Sequence, residues 1–292
     1  MMRLNALLTG ANGMLADALW PLLEKNGYMV HPCDLAGNDK IFKADIRNLN
    51  EVMGFAKARR PDIVFHLAAE TDVDKCQLNR QHAFETNAKG TENMAAICRE
   101  LDIPLVYVST GAVFDGEKTT GYTEEDTTNP ANIYGESKLR GEDVVRSMLT
   151  KYYIIRASWM VGGQNKDKKF VWKITQLLRT KKEIPVVTDK YGSPTFTGDF
   201  AGGIVDIVSR GEYGLYHCVS KGICSRFDMA EKIAEYLDKK DVILRPITSD
   251  AFPLPAPRGK SEALLNAKLS AMNMDRSRPW QEALKEYIDE IK

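Results

Sequence analysis

A tyrosine and a lysine stand four residues apart in "YGESKLRGE", as Tyr134 and Lys138. On a helix that spacing puts both side chains on one face. A tyrosine with the ordinary pKa of about 10 exchanges protons poorly at neutral pH unless its phenolate is stabilised. A lysine ammonium one turn away does that, and its remaining donors can hold a ribose. Upstream, "VYVSTGAVFDG" ends an apolar run at Ser109-Thr110, and small residues follow. It reads either as an ordinary turn or as a strand end presenting Thr110 to a substrate.

A third group lies near the start. "TGANGMLA" sets Gly10, Gly13 and Ala16 in a GxxGxxA arrangement, with Asn12 between the glycines and Met14 and Leu15 after them. Glycines there let the backbone bend sharply and approach a pyrophosphate, and the following helix offers free N–H groups. The bland reading is a plain strand–helix junction, but its place at the first such junction favours a nucleotide. Asp34 follows about 20 residues later, where a carboxylate can bind a ribose 2′-hydroxyl and repel a 2′-phosphate. That favours NADH, the alternative being a solvated aspartate. Asp45 and Ile46, in "KADIRN", either lead into a helix or flank an adenine.

These residues need a scaffold. Candidate strands are Leu4–Leu8, Met29–Cys33, Asp62–Leu67, Leu105–Ser109 and Tyr152–Ala157, separated by helical patterns over Met14–Lys25, Leu49–Arg59, Glu85–Leu101 and Tyr134–Leu149. Such alternation predicts βαβ units, hence an α/β fold with a Rossmann-type doubly wound parallel sheet. Beyond Ala157 the texture changes. Phe170–Thr180 reads as a helix, Asp189–Phe200 as a turn-rich connection, Gly214–Val219 and Val242–Pro246 as short strands, and Trp280–Ile291 as a last helix. The expected division is a dinucleotide-binding domain over residues 1–160 with returning segments, and a smaller substrate-binding lobe over most of 161–292. Ligands of such sheets bind outside the strand carboxyl ends.

Composition narrows the function classes. Forty basic residues balance forty acidic ones, which removes any electrostatic case for a nucleic-acid partner. No apolar run approaches the roughly 18 residues of a membrane span, and the N-terminus carries no signal-peptide pattern. The five cysteines are scattered and never spaced as CxxC, which argues for a reducing cytoplasm and against a zinc site. The four histidines are isolated, so no metal centre is expected.

Taken together, the motifs resemble the extended short-chain dehydrogenase/reductases and, within them, the dTDP-4-dehydrorhamnose reductase family. The resemblance spans nearly the whole chain and rests on "TGANGML", "HLAAETDVDKC", "NAKGTENMA", "VSTGAVFDG", "NPANIYGESKLRGE", "IIRASWMVG", "DKYGSPT" and "LYHCVSKG". It implies that Gly10, Asn12, Gly13, Met14 and Leu15 line the cofactor pyrophosphate, with Asp34 at the adenosine ribose and Asp45 and Ile46 at the adenine. Ala68, Ala69, Glu70 and Thr71 would pass the nicotinamide half, which Tyr134 and Lys138 also touch. Thr110, Tyr134 and Lys138 form the implied catalytic set, and Thr110, Gly111 and Trp159 border the sugar nucleotide; the bland alternative for Trp159 is core packing.

The implied reaction is reduction of the C4 carbonyl of a nucleoside-diphosphate 4-keto-6-deoxy sugar by NADH or NADPH, with a homodimer as the assembly to test for. Two departures fall near the substrate. Gly111-Ala112 stand where the family has an acid and an aromatic, and "PAPRGKSEALLN" matches the family's late motif only loosely. The rival readings are a sugar-nucleotide epimerase or dehydratase, and a non-catalytic subunit like the regulatory subunit of methionine adenosyltransferase. Only a reductase consumes NAD(P)H in step with a keto sugar.

Overall fold

A computed structural model describes residues 3–163, 166–167 and 169–292. The first half alternates as the hydrophobic pattern requires. Strand β1 (Leu4–Thr9) leads through helix α1 (Met14–Lys25) to β2 (Tyr28–Asp34), then to a short β3 (Phe42–Lys43). Helix α2 (Leu49–Arg59) returns the chain to β4 (Ile63–His66). Two short helices follow, α3 (Val73–Leu78) and α4 (Arg80–Phe84), before α5 (Gly90–Leu101) and β5 (Leu105–Thr110). Helix α6 (Ile133–Met148) carries the Tyr–Lys pair and feeds β6 (Tyr152–Ala157).

The rest of the chain is finer-grained: β7 (Met160–Val161), α7 (Phe170–Thr180), β8 (Glu183–Val187), β9 (Tyr191–Gly192) and β10 (Thr195–Phe196). Then come α8 (Thr197–Arg210), β11 (Gly214–His217), β12 (Cys224–Ser225) and α9 (Arg226–Tyr236). Strands β13 (Ile243–Ile247) and β14 (Ser261–Glu262) precede α10 (Ala267–Ala271) and α11 (Trp280–Ile291).

Seven parallel strands form the central sheet in the order β11-β6-β5-β4-β1-β2-β3. The order reverses beside β1, so the carboxyl ends of β1 and β4 part there and leave a crevice. Helices α1 and α8 cover one face around Leu8, Leu19, Phe65 and Ile204, while α2, α5 and α6 cover the other around Leu7, Val64, Ile97 and Ile154. Both faces being dry, the central strands read as unbroken apolar runs. Segment Thr197–His217 returns to this sheet from beyond residue 161, supplying α8 and the edge strand β11. A separate core, built on Ile174, Val186, Met229 and Leu284, holds α7, α9 and α11 over the β8–β13 pair.

The helix expected over Glu85–Leu101 begins differently. Glu85–Lys89 forms a wider π-helical turn before α5 proper, a distortion that periodicity does not reveal and that recurs near functional sites. It places the buried Asn87 amide between two partners: its nitrogen donates to the Glu70 carbonyl at 3.0 Å and to Ser137 Oγ at 2.9 Å.

Helix α6 is seated closely. Asn132 caps it, its side chain accepting from the Gly135 amide at 2.9 Å. A Cβ on Gly135 would lie 2.0 Å from the Ala112 carbonyl oxygen, so only glycine lets the first turn of α6 rest on the turn after β5. One turn beyond Lys138, Glu142 is wholly buried and receives Ser109 Oγ at 2.6 Å, Arg156 Nε at 2.8 Å, Arg156 Nη2 at 2.7 Å and Arg146 Nη2 at 2.6 Å. Burial alone would raise its carboxyl, but these donors hold it below the usual range.

Removing one partner of such a pair leaves an uncompensated charge in the core. Arg156→Met is therefore expected to cost about 3–5 kcal/mol of folding stability, measured by urea unfolding of the apo protein. A loss well under 1 kcal/mol would mean that Arg146 alone suffices for Glu142.

Candidate active site

At the crevice the glycine turn and the chain leaving β4 touch. Gly10 takes φ +72°, and a Cβ there would stand 2.6 Å from the Ala68 amide nitrogen. A side chain at this position is thus excluded by both conformation and space. Gly13 caps α1, and its amide donates to the Gly10 carbonyl at 3.0 Å. Asn12 ties the turn to the end of β2: its amide donates to Asp34 Oδ2 at 3.0 Å and its side chain to the Ala36 carbonyl at 2.6 Å. Asp34 Oδ1 accepts the Ala36 amide at 3.2 Å, so the carboxylate is fixed at the strand end.

Side chains and backbone take different parts here. Leu15 packs into the core and Met14 lies against Gly163, leaving their amides at the free N-terminus of α1. Ile46 is buried against Gly90, and its carbonyl accepts the Asn93 side chain at 2.8 Å. Asp45 is held by Arg47, whose Nε lies 3.0 Å from each carboxylate oxygen, and the hydrogen bonds from Arg47 keep its carboxyl below the usual range. Past Ala68 and Ala69, Glu70 takes Lys75 Nζ at 2.6 Å and His82 Nε2 at 3.2 Å, while Thr71 is exposed. A dinucleotide fits this cradle: a glycine turn without side chains, unpaired amides at a helix start and a fixed acid at the second strand end.

The three residues expected to do chemistry converge beside it. Thr110 is the last residue of β5, and its Oγ1 accepts the Ala112 amide at 3.2 Å. Tyr134 lies in the first turn of α6 and keeps part of its surface open. Burial pushes its phenol above the ordinary value, and the Thr110 hydroxyl within hydrogen-bonding reach pulls the other way. Lys138 is almost wholly buried, its ammonium 4.1 Å from the centre of the Tyr107 ring. Burial lowers its pKa to about 7, against the opposing charge of Glu142.

Beyond Trp159, sequence reasoning missed the residues around this indole. Trp159 takes φ +37°, a strained conformation for so large a residue. Its ring lies flush on Gly192, where a Cβ would come within 2.4 Å, and the Arg226 guanidinium stacks 3.5 Å from the ring centre. Arg226 also stands 4.8 Å from the Phe170 ring, and burial lowers its pKa to about 10. Among the described residues no carboxylate or carbonyl accepts a hydrogen bond from its guanidinium. Lys169, Lys190, Arg258 and Arg226 all act on one acid, Glu262. These cations come from distant places in the chain and share no spacing, so only the fold brings them together. Trp159 is therefore packed on Gly192 and Arg226 while staying only partly buried.

The whole chain, residues 2–292, matches the family described as RmlD substrate binding domain. This protein belongs to that family. It is 33% identical over 290 residues to a dTDP-4-dehydrorhamnose reductase of Mycolicibacterium smegmatis, covering 97% of this chain and 84% of that one. It is also 34% identical to the Bacillus subtilis spore coat polysaccharide biosynthesis protein SpsK, over 97% of this chain and 96% of the relative. Among solved structures, a Clostridium acetobutylicum dTDP-4-dehydrorhamnose reductase superposes with a TM-score of 0.92 at 38% identity, covering 99% of each chain. The Bacillus anthracis dTDP-4-dehydrorhamnose reductase in complex with NADP superposes at 0.91 with 34% identity, over 99% of this chain and 100% of that one. A Thermus thermophilus UDP-glucose 4-epimerase shares the fold, with a TM-score of 0.84 at 20% identity.

In the catalytic role expected for it, Lys138 would support proton transfer only as an ammonium. Its protonated fraction falls as pH rises through about 7, so kcat/KM should fall over the same range. Lys138→Arg, whose guanidinium stays charged, should lower the plateau but remove that limb. A wild-type profile flat to about pH 9 would detach Lys138 from the proton-transfer step.

Proposed function

We propose that this protein reduces the C4 carbonyl of a nucleoside-diphosphate 4-keto-6-deoxy sugar with NADH or NADPH, converting dTDP-4-dehydro-L-rhamnose to dTDP-L-rhamnose for cell-surface polysaccharide synthesis. One observation carries the reading. The Thr110–Tyr134–Lys138 group and the Arg226 guanidinium, unpaired among the described residues, both lie close enough to Glu262 for its charge to act on them. A carbonyl-reducing centre at one end and an anion-binding cation at the other fit a keto sugar linked to a diphosphate.

The nicotinamide cofactor, when bound, supplies hydride to the carbonyl carbon. This chain's residues do the rest. Thr110 and Tyr134 hydrogen-bond the carbonyl oxygen, and both bonds strengthen as that oxygen gains charge. Tyr134 gives it the proton, while Lys138 stabilises the phenolate left behind. Arg226 and its neighbouring lysines hold the diphosphate and so fix the ring against the donor.

Among the described residues no helix is long and apolar enough to cross a membrane. Cys33, Cys76, Cys98, Cys218 and Cys224 are all unpaired, which supports a cytoplasmic setting. The same reading carries a homodimer as the expected assembly.

A panel of 4-keto-6-deoxy sugar nucleotides, followed by loss of NAD(P)H absorbance, decides the matter. Stoichiometric consumption supports the reductase; turnover without consumption would favour an epimerase, and binding without turnover a regulatory subunit. Tyr134→Phe should lower kcat about 10²–10⁴-fold with cofactor affinity nearly intact. Near wild-type turnover in that variant would remove the phenol from the mechanism. On this reading the Asp34 carboxylate, held by the Asn12 and Ala36 amides, meets the adenosine ribose and repels a 2′-phosphate, so NADH should serve at least as well as NADPH. A strong NADPH preference in kcat/KM would show that the phosphate is accommodated elsewhere.

A further inference from the structure

His66 ends an otherwise apolar strand. The rest of β4 is Ile63, Val64 and Phe65, and the histidine is as buried as they are. Its Nδ1 lies 2.8 Å from Thr9 Oγ1, at the end of β1, and its Nε2 lies 3.2 Å from Thr91 Oγ1, on α5. Both threonines are buried as well. None of the three takes part in the proton transfer described above.

The chemistry of the partners fixes the direction of every bond. Thr91 Oγ1 stands 2.7 Å from the Asn87 carbonyl, which has no proton, so the threonine donates there. The Tyr107 hydroxyl, also beside Thr91, gives its own proton to the Lys138 carbonyl at 3.2 Å and offers Thr91 only an acceptor. Toward His66, Thr91 can therefore only accept, and Nε2 carries the hydrogen.

At the other end the Ala68 amide donates to Thr9 Oγ1 at 3.3 Å. A neutral imidazole protonated on Nε2 leaves Nδ1 as an acceptor, and Thr9 donates to it. An imidazolium would leave the Thr9 proton without an acceptor among the described residues. Burial, and then the Lys138 charge, push the His66 pKa down to about 3, so the ring stays neutral. The result is a one-way chain from the Ala68 amide through Thr9, His66 and Thr91 to the Asn87 carbonyl.

Both ends of the chain belong to the crevice. Ala68 carries the amide nitrogen that a Cβ on Gly10 would strike, so its position sets how closely the loop after β4 approaches the glycine turn. The Asn87 side chain grips the same loop, accepting from the Glu70 amide at 2.8 Å and donating to the Glu70 carbonyl at 3.0 Å. It also donates to Ser137 Oγ at 2.9 Å, and Ser137 donates to the Tyr134 carbonyl at 2.8 Å. A buried network with all its members satisfied specifies one arrangement. An apolar residue at position 66 would fill the space without linking these parts.

We propose that His66 is a positioning residue: as the Nε2–H tautomer, it holds the loop beside the cofactor in register with the helix that carries Tyr134. Of the functional reading given above, this role requires only that a nicotinamide dinucleotide occupy the crevice.

Two measurements test this. Long-range nitrogen–proton NMR of histidine-labelled apo protein, with the ring signals assigned through the backbone, reads the tautomer directly. His66 should show a protonated Nε2 and a bare Nδ1, unchanged from about pH 5 to about pH 9. A proton on Nδ1, or a ring that titrates in that range, would overturn the chain. Calorimetry with NADPH reads the alignment. Thr91→Val keeps the volume but cuts the chain, and should weaken NADPH on the order of 10-fold. Thr91→Ser keeps the hydroxyl and should stay within about 3-fold of wild type. Thr9→Val and Thr9→Ser put the same question from the other end, should urea unfolding show that a Thr91 variant is not folded. Wild-type affinity in a folded valine variant would reduce His66 to core packing. If wild type binds neither NADH nor NADPH, the cofactor reading itself fails, and the tautomer alone upholds or overturns the chain.

Discussion

Glu142 receives Ser109 from the end of β5 and Arg156 from the end of β6 while standing on α6 itself. Three elements thus meet on one dry carboxylate, at the level where Thr110 leaves β5 and one turn from Lys138. Arg156 extends the network, its Nη1 lying 3.3 Å from His217 Nε2 at the end of β11. The same arginine stands 5.0 Å from the Phe114 ring, past the turn that follows Thr110. A buried ion pair contributes little net stability, because both partners are desolvated. Its use here is geometric: it permits one register between helix and sheet. Misplacement of reacting groups by about 1 Å is enough to cost much of the rate, so the proposed catalytic set depends on this joint.

Charge in the cleft follows the same logic. Lys138 and Arg226 are cations whose burial lowers their pKa values, to about 7 and about 10. Each rests on an aromatic face rather than on a carboxylate, Lys138 over Tyr107 and Arg226 over Trp159. Cation–π contact compensates desolvation only in part. Nearby carboxylates offset part of the rest, Glu142 for Lys138 and Glu262 for Arg226. Fixed donors of this kind need no reorganisation during reaction.

Much of this was legible in the sequence, and for a physical reason. Strand runs such as Leu105–Thr110 and the 3.6-residue pattern of α6 are local signals, and the Tyr–Lys spacing is a property of one helix. Gly10 was legible because a left-handed turn tolerates few other residues. The unread parts are those defined by long-range contact. Strands β3, β7, β9 and β12 have two residues each, too few to show alternation. Glu262, Arg226 and Lys169 meet only because β14, α9 and the start of α7 pack on one another. The left-handed Trp159 likewise has no signature in "RASWMVG", since its backbone is set by Gly192 and Arg226 around the ring.

The segment before β14 is also tied to α3 and to the start of α6. Arg258 Nη2 lies 3.0 Å from Asp74 Oδ1 on α3, and the same oxygen accepts the Ala256 amide at 3.1 Å. Asn132, the cap of α6, donates to the Pro257 carbonyl at 3.1 Å. The segment that leads into β14 is therefore anchored to the helix that carries Tyr134 only five residues before Glu262. Lys190 completes the anchor, its Nζ donating to the Arg258 carbonyl at 2.9 Å. A polar strap of this kind lets Glu262 and Tyr134 keep one spacing. Because Arg258 both ties the strap to α3 and acts on Glu262, the charge around Glu262 and the anchoring of this segment rest on the same side chain.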